Sequence, residues 1–214
     1  TLVATPGMPD ADLIPSLLAA SDVLGTGWFA AVAAAVGPGK TVAVVGDGAV
    51  GLMGVLAARE LGAERIVAMS RHADRQRLAL EFGATDIVAE RGEEGVARIK
   101  DLTGGYGAHS VLECVGTAEA MRQAIRATRR GGHVGYVGVP HEITLDVGDL
   151  FLNHVHLHGG PAPVRAYLPG FVERILDRQI HPGRVFDLTL PLDQAADAYR
   201  AMDRREAIKV LLQP

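Results

Sequence analysis

Three glycines are spaced as G-x-G-x-x-G in the segment Gly46-Asp47-Gly48-Ala49-Val50-Gly51. In a chain with 26 glycines the spacing alone says little, and its setting gives it meaning. A β-type apolar run, 41–45 (TVAVV), ends just before it, and a helical run begins near Ala49. In such a strand–turn–helix the first glycine permits the tight turn. The second lets backbone approach a pyrophosphate, and the third lets the helix lie close to the strand. The helix start adds unpartnered N–H groups and partial positive charge, both suited to phosphate. Gly46, Asp47, Gly48, Ala49, Val50 and Gly51 are therefore the candidate phosphate-binding set. The alternative is a Gly-rich turn serving another ligand, such as a methyl donor.

The next strand decides which dinucleotide is expected. A site for NAD usually closes its second strand with an acid, about 20 residues beyond the glycines, to accept hydrogen bonds from the ribose hydroxyls. Here Ile66-Val67-Ala68-Met69 runs into Ser70-Arg71-His72, and the next acid is Asp74. A carboxylate would repel a 2′-phosphate, whereas Arg71 would attract it through paired, charge-assisted hydrogen bonds. Ser70 can donate a hydroxyl hydrogen bond, with His72 and Arg75 as further helpers. The expected cofactor is NADP(H). A solvated loop arginine is the plainer reading of Arg71.

Other reactive side chains show little catalytic patterning. No G-x-S-x-G and no adjacent Cys/His pair supports nucleophilic catalysis. The single cysteine, Cys114, reads as a small buried hydrophobe. His154, His156 and His158 alternate, so they share one face of a strand whose other face carries Val155 and Leu157. A polar strand face is the expectation there rather than a metal site. A net charge of −4 gives no reason to expect nucleic acid or an anionic membrane as a partner. No apolar run approaches the roughly 20 residues that span a bilayer, and the richest, 17–36, is broken by Ser21, Asp22, Gly25 and Gly27. The chain lacks a signal-peptide pattern, so a cytoplasmic location is expected.

The elements needed to position these residues follow from periodicity. Strands are predicted at 41–45, 66–69, 86–89, 110–115 and 133–139, and helices at 49–61, 75–82, 95–102 and 118–128. Gly83 is a helix-ending residue. Ala30–Val36 reads as a closely packed helix. Such alternation, with strands apolar on both faces, predicts an α/β fold with a doubly wound parallel sheet of the Rossmann type. The tail reads as helix 171–178, extended 184–190, helix 192–202 and extended 208–212. The expected organisation is a linker over 1–21, a dinucleotide-binding domain over 22–182 and a strand–helix–strand segment over 183–214. The opening, Thr1 to Pro15, is loop-like and Pro-rich and begins without Met, as in a fragment or processed chain.

These residues resemble the medium-chain dehydrogenase/reductase family, above all its zinc-dependent, NADP-linked alcohol dehydrogenases. The resemblance runs through Gly46 to Gly54, Ser70-Arg71, Phe82-Gly83-Ala84-Thr85-Asp86, Leu102-Thr103-Gly104-Gly105, Gly131-Gly132-His133-Val134 and Ile208-Lys209-Val210. It implies that backbone around Val137, Gly138 and Val139, just past the fifth strand, holds the nicotinamide carboxamide. It places Lys209 where it lies near the cofactor or serves as a surface lysine. It also implies that Asp22, within Ala20-Ser21-Asp22-Val23-Leu24-Gly25-Thr26-Gly27, is a ligand of the catalytic zinc; the plainer reading is a helix N-cap. The family's N-terminal domain, with its cysteine, histidine and glutamate around the zinc, has no counterpart here, and a catalytic zinc needs three protein ligands. The expectation is a cofactor platform, inactive alone, whose tail packs on a missing catalytic domain. The full-length enzyme would interconvert a small alcohol and its aldehyde or ketone, as a homodimer or homotetramer joined through the strand at 153–159. The rivals are a zinc-free quinone or enoyl reductase of the same superfamily and a non-catalytic NADP(H)-sensing module.

Overall fold

The structure, a computed structural model, describes residues 2–214. The chain forms two compact units, one of residues 24–163 and one combining residues up to 23 with residues 164–214. The sequence-based boundaries were set at 22 and 182. Residues 164–182 instead belong with the opening segment.

In the larger unit, α2 (Val23–Ala33) leads into β1 (Thr41–Val45), α3 (Ala49–Glu60), β2 (Arg65–Met69), α4 (Ala73–Phe82) and β3 (Asp86–Val88). There follow α5 (Gly92–Leu102), β4 (Ala108–Glu113), α6 (Ala118–Ala127), β5 (Thr128–Tyr136), α7 (Val147–Asn153) and β6 (His156–Gly159). All six strands are parallel, in the order β3-β2-β1-β4-β5-β6. The chain winds outward from β1 to β3 and then returns to β4 on the other side of β1. This reversal opens a crevice at the carboxyl ends of β1 and β4, the general ligand site of such sheets.

The sheet forms because its central strands are apolar on both faces. Val42, Ala43, Val44 and Val45 are all buried, as are Val111 and Leu112. On one face Val45, Val67, Met69 and Val88 pack with Val96 and Ile99 of α5 and Ala124 of α6. On the other, α2 lies against β5 so closely that a Cβ on Gly135 would stand 2.0 Å from the Ala30 carbonyl oxygen. The Ala-rich helix is thus the closely packed one anticipated, although it ends at Ala33.

Three local expectations give way. The fifth strand stops at Tyr136, not Val139: the Val137 N–H still completes the ladder on the Glu113 carbonyl at 2.9 Å, but the Gly138 N–H turns back to that same oxygen at 3.3 Å. Helix α7 arises where no element was predicted. Its cap, Asp146, accepts from the N–H of Gly148 and Asp149 at 2.8 and 3.3 Å. His154 ends that helix in a left-handed conformation (φ 52°), so the strand starts only at His156, while an alternation of exposed and half-buried residues still runs through 154–158. The Val155 N–H closes the helix end on the Leu150 carbonyl at 3.0 Å.

In the smaller unit α1 (Ile14–Ala20) begins within the supposed loop, with Pro15 in its first turn, where a missing N–H costs nothing. Arg178 follows α8 (Val164–Leu176) and pairs with Asp10 at 3.0 Å and Asp12 at 2.5 Å. The Ser16 hydroxyl accepts from the Gly183 N–H at 3.1 Å. These contacts join the opening to residues 164–183. Beyond them, β7 (Phe186–Pro191), α9 (Ala195–Asp203) and β8 (Lys209–Gln213) form a parallel β-α-β unit around Ala198, Ala207 and Val210.

Candidate cofactor site

The turn after β1 has the geometry its glycines predict. Gly46 adopts φ +117°, open to glycine and strained for other residues. Gly51 faces back onto it, so that a Cβ there would lie 1.9 Å from the Gly46 carbonyl oxygen. Gly48 caps α3 in an extended conformation, and a Cβ built on it would meet nothing within 4 Å. The outer side of Gly48 is therefore an empty surface. Behind it the first N–H groups of α3, beginning at Ala49 and Val50, lack intrahelical partners. No side chain caps this end. Those features fit a pyrophosphate.

Asp47 faces elsewhere. Its carboxylate Oδ2 accepts from the Ser70 hydroxyl at 2.8 Å. Arg75 Nη1 donates to Oδ1 at 3.3 Å, and Arg91 Nη2 lies 3.7 Å from Oδ2. Arg91 also donates through Nη1 to the Met69 carbonyl at 3.1 Å. Burial alone would raise the Asp47 carboxyl. The Ser70 hydrogen bond and the charges of Arg75, Arg91 and His72 outweigh it and hold the group below the ordinary carboxylate range.

The β2 corner differs from the sequence picture in one respect. Ser70 is fully buried and its hydroxyl is committed to Asp47. Arg71 is exposed and His72, the residue before α4, is half-buried. Arg75, read from sequence only as a helper, is buried. Arg91, just past β3, was missed. Its signal was a basic residue in the turn after the third strand, legible only once the parallel order β3-β2-β1 is known.

At the other end of the crevice, Val137, Gly138 and Val139 follow β5. Gly138 packs so tightly on the β4 turn that a Cβ would stand 2.1 Å from the Gly116 nitrogen. Glu113, the last residue of β4, sits beneath this shelf and was also missed. Its main-chain carbonyl takes the two N–H groups already described, and its side-chain Oε1 accepts from Val115 and Gly116, each at 2.8 Å. Oε2 is buried without a hydrogen-bond partner among the described residues. Burial pushes the Glu113 carboxyl up, against the opposing effect of the two N–H bonds. Burial and neighbouring Glu113 likewise raise the Cys114 thiol, which favours its protonated form; the residue itself is half-buried, not the fully buried one its sequence suggests.

The remaining candidates belong to other elements. Lys209 opens β8 in the smaller unit, half-buried, its N–H 3.2 Å from Asp187 Oδ1. Asp22 is exposed in the turn between α1 and α2. No group of three His, Cys, Asp or Glu side chains among the described residues could hold a metal ion, so these residues do not by themselves fit a zinc site. His133 stacks on His156 with ring centroids 4.5 Å apart, and His154 tilts against His156 at 5.0 Å. A cavity of about 660 Å³ between α5 and α6 is lined by Lys100, Arg126, Arg129 and Arg130. It involves none of the glycine turn.

Comparison with known proteins agrees with this geometry. The sequence profile of the zinc-binding dehydrogenase family matches residues 49–176. A probable zinc-binding alcohol dehydrogenase of Mycobacterium tuberculosis is 35% identical over 211 residues, covering 97% of this chain and 54% of the relative. An NADP-dependent isopropanol dehydrogenase of Entamoeba histolytica is 36% identical over 148 residues, 67% of this chain and 40% of the relative. The chain thus spans about half the length of the curated relatives it matches. Among solved structures, the alcohol dehydrogenase TADH from Thermus sp. ATN1 superimposes with a TM-score of 0.87 at 31% identity, over 97% of this chain and 61% of that one. The strand order, the glycine turn and the profile match agree: the chain belongs to the zinc-binding dehydrogenase family, within the medium-chain dehydrogenase/reductases, and carries that family's cofactor-binding portion.

Proposed function

We propose that this chain binds NADP(H), and that the whole protein is an NADP-dependent alcohol dehydrogenase interconverting a small alcohol and its aldehyde or ketone. The observation that carries the cofactor choice is the charge at the β2 corner. Arg71, Arg75 and Arg91 lie just past β2 and β3, where Asp47 is already engaged by Ser70, Arg75 and Arg91 and Asp74 pairs with Arg77, so positive charge is in surplus. A 2′-phosphate brings about two negative charges to that surplus, whereas a ribose hydroxyl brings none. The printed name of the Entamoeba relative, an NADP-dependent enzyme, supports the same choice.

The residues then divide the cofactor between them. Gly48 and the start of α3 receive the pyrophosphate, and Arg71 with its neighbours receives the 2′-phosphate. The shelf of Val137, Gly138 and Val139 orients the nicotinamide amide. When bound, the nicotinamide supplies a hydride acceptor or donor at its C4 position. The deciding experiment is calorimetric titration of the chain and its Arg71→Ala variant with NADPH and NADH. A hydrogen bond to a charged group contributes about 1.5–3 kcal/mol, so NADPH should weaken about ten- to hundredfold and NADH far less. Equal losses for the two cofactors would remove the assignment.

A further inference from the structure

Asp47 occupies the first variable position of the glycine turn, yet its side chain leaves the turn and reaches across the ends of β2 and β3. Its carboxylate collects the Ser70 hydroxyl at 2.8 Å, Arg75 at 3.3 Å and Arg91 at 3.7 Å. The Asp47 and Arg75 side chains are each only 11% exposed, and that of Arg91 is 25% exposed. Two guanidinium groups therefore converge on one carboxylate in a largely dry setting. Like charges so close repel unless something between them is negative.

An acid at this corner admits two roles. It could accept the ribose hydroxyls of NAD, as the second-strand acid does elsewhere. Alternatively, it could act as an internal counter-ion. The contacts favour the second role. Both oxygens already have donors, and little of the carboxylate faces solvent. We infer that Asp47 is a specificity-determining counter-ion: held in place by the Ser70 hydroxyl, it pairs with Arg75 and Arg91, withholds part of their positive charge from the 2′-phosphate and so sets how strongly NADP(H) is preferred.

This inference rests on the 2′-phosphate reading above, which the wild-type preference tests separately. If the wild-type chain binds NADH better than NADPH, the earlier reading fails whatever the variants do. Given NADPH preference, two substitutions should move it in opposite directions. Asp47→Asn keeps the shape and a carbonyl oxygen for Ser70 but releases one full positive charge toward the ligand. Its NADPH dissociation constant should fall on the order of tenfold at low salt, and less at high salt. Arg91→Gln removes a cation and leaves Asp47 less neutralised, so NADPH should weaken by a similar factor.

Calorimetric titration of both variants with NADPH and NADH at two salt concentrations reads these constants directly. The change must appear in the NADPH constant itself. If the Asp47→Asn preference rises only because NADH weakens, Asp47 is a ribose acceptor and the proposal is overturned. It is equally overturned if Asp47→Asn leaves NADPH unchanged or weakens it. Should Asp47→Asn fail to fold, Asp47→Ser, which keeps a hydroxyl for Ser70 and removes the charge, takes its place: tighter NADPH at low salt supports the proposal, and unchanged or weaker NADPH refutes it.

Discussion

Gly48 and Gly51 belong to one motif but should fail in different ways when each becomes alanine. At Gly48 the backbone has φ −78°, which alanine adopts freely, and the new methyl group would meet no atom within 4 Å. Two small effects on stability oppose each other. Alanine restricts the unfolded chain, worth about 0.4–1 kcal/mol. It is also a poorer N-cap than glycine, at a cost of about the same size. The Gly48→Ala protein should therefore melt within a few degrees of the wild type. Its cofactor site should not survive as well, because the methyl group occupies the surface that the pyrophosphate must reach. Loss of one or two charge-assisted N–H contacts, each worth about 1.5–3 kcal/mol, weakens binding roughly ten- to ten-thousandfold. Gly51→Ala has the reverse profile. Its methyl would stand 1.9 Å from the Gly46 oxygen, so helix and turn must part, and overpacking of that kind costs about 1–3 kcal/mol or more. Thermal unfolding of both variants, with calorimetric titration of NADPH, separates the two. If Gly48→Ala binds NADPH like the wild type, the pyrophosphate does not cross Gly48. If it instead unfolds as readily as Gly51→Ala, the steric account of the turn is wrong.

Two further outcomes follow from other parts of the larger unit. Folding raises the Glu113 carboxyl above its ordinary value of 4.5, so the native state binds its proton more tightly than the unfolded state does. The associated stability is present at low pH and is lost as pH rises from about that value through the native one. Each tenfold gain in proton affinity corresponds to about 1.4 kcal/mol. Glu113→Gln should therefore flatten the fall in urea stability as pH rises above the ordinary carboxylate range, and an unchanged slope would rule out Glu113 as its source. At the sheet edge we propose that β6 pairs with β6 of a second copy. The Gly160 N–H points to the Tyr136 carbonyl, so by alternation the N–H groups of Leu157 and Gly159 point outward. Proline at Val155 would instead break the bond to Leu150, so charge is the cleaner probe. The exposed pair His156→Glu with His158→Glu should place like charges across a two-fold axis and convert a dimer to a monomer in light scattering, and a dimer that persists refutes the pairing.

Sequence was informative wherever one short stretch contained its own cause. The β1–turn–α3 unit was legible because apolar alternation, three glycines and a helical run lie within a few residues of one another. Gly83 was legible as a helix end for the same reason, and it adopts φ +115°. Where the cause lay far along the chain, the reading stopped short. Val137 and Val139 look like strand, and the strand ends at Tyr136 where the Gly138 N–H turns back to the distant Glu113 carbonyl that Val137 already uses. His154 fits the alternation of its neighbours, yet it belongs to the end of a helix whose cap, Asp146, sat in an unremarkable polar stretch. Pro15 suggested a loop because proline interrupts helices, but in a first turn it does not.

Asp47 and Glu113 show how position alone leaves chemistry undetermined. Both are acids at or just past the carboxyl ends of adjacent strands, β1 and β4, and both are largely withdrawn from water. Burial pushes each toward its neutral form. Asp47 also receives a hydroxyl hydrogen bond and faces two guanidinium groups, so its charge is retained. Among the described residues, Glu113 receives only two backbone N–H bonds on one oxygen, has no cation that reverses the shift, and keeps the other oxygen unpartnered. The β2 end of the crevice is thereby supplied with a fixed anion that gathers cations. The β5 end is supplied with a carboxyl group that favours its proton and ties two turns together through its backbone and one oxygen. Which acid takes which role is set by the donors that the parallel strand order brings to it, Ser70, Arg75 and Arg91 in one case and Val115 and Gly116 in the other.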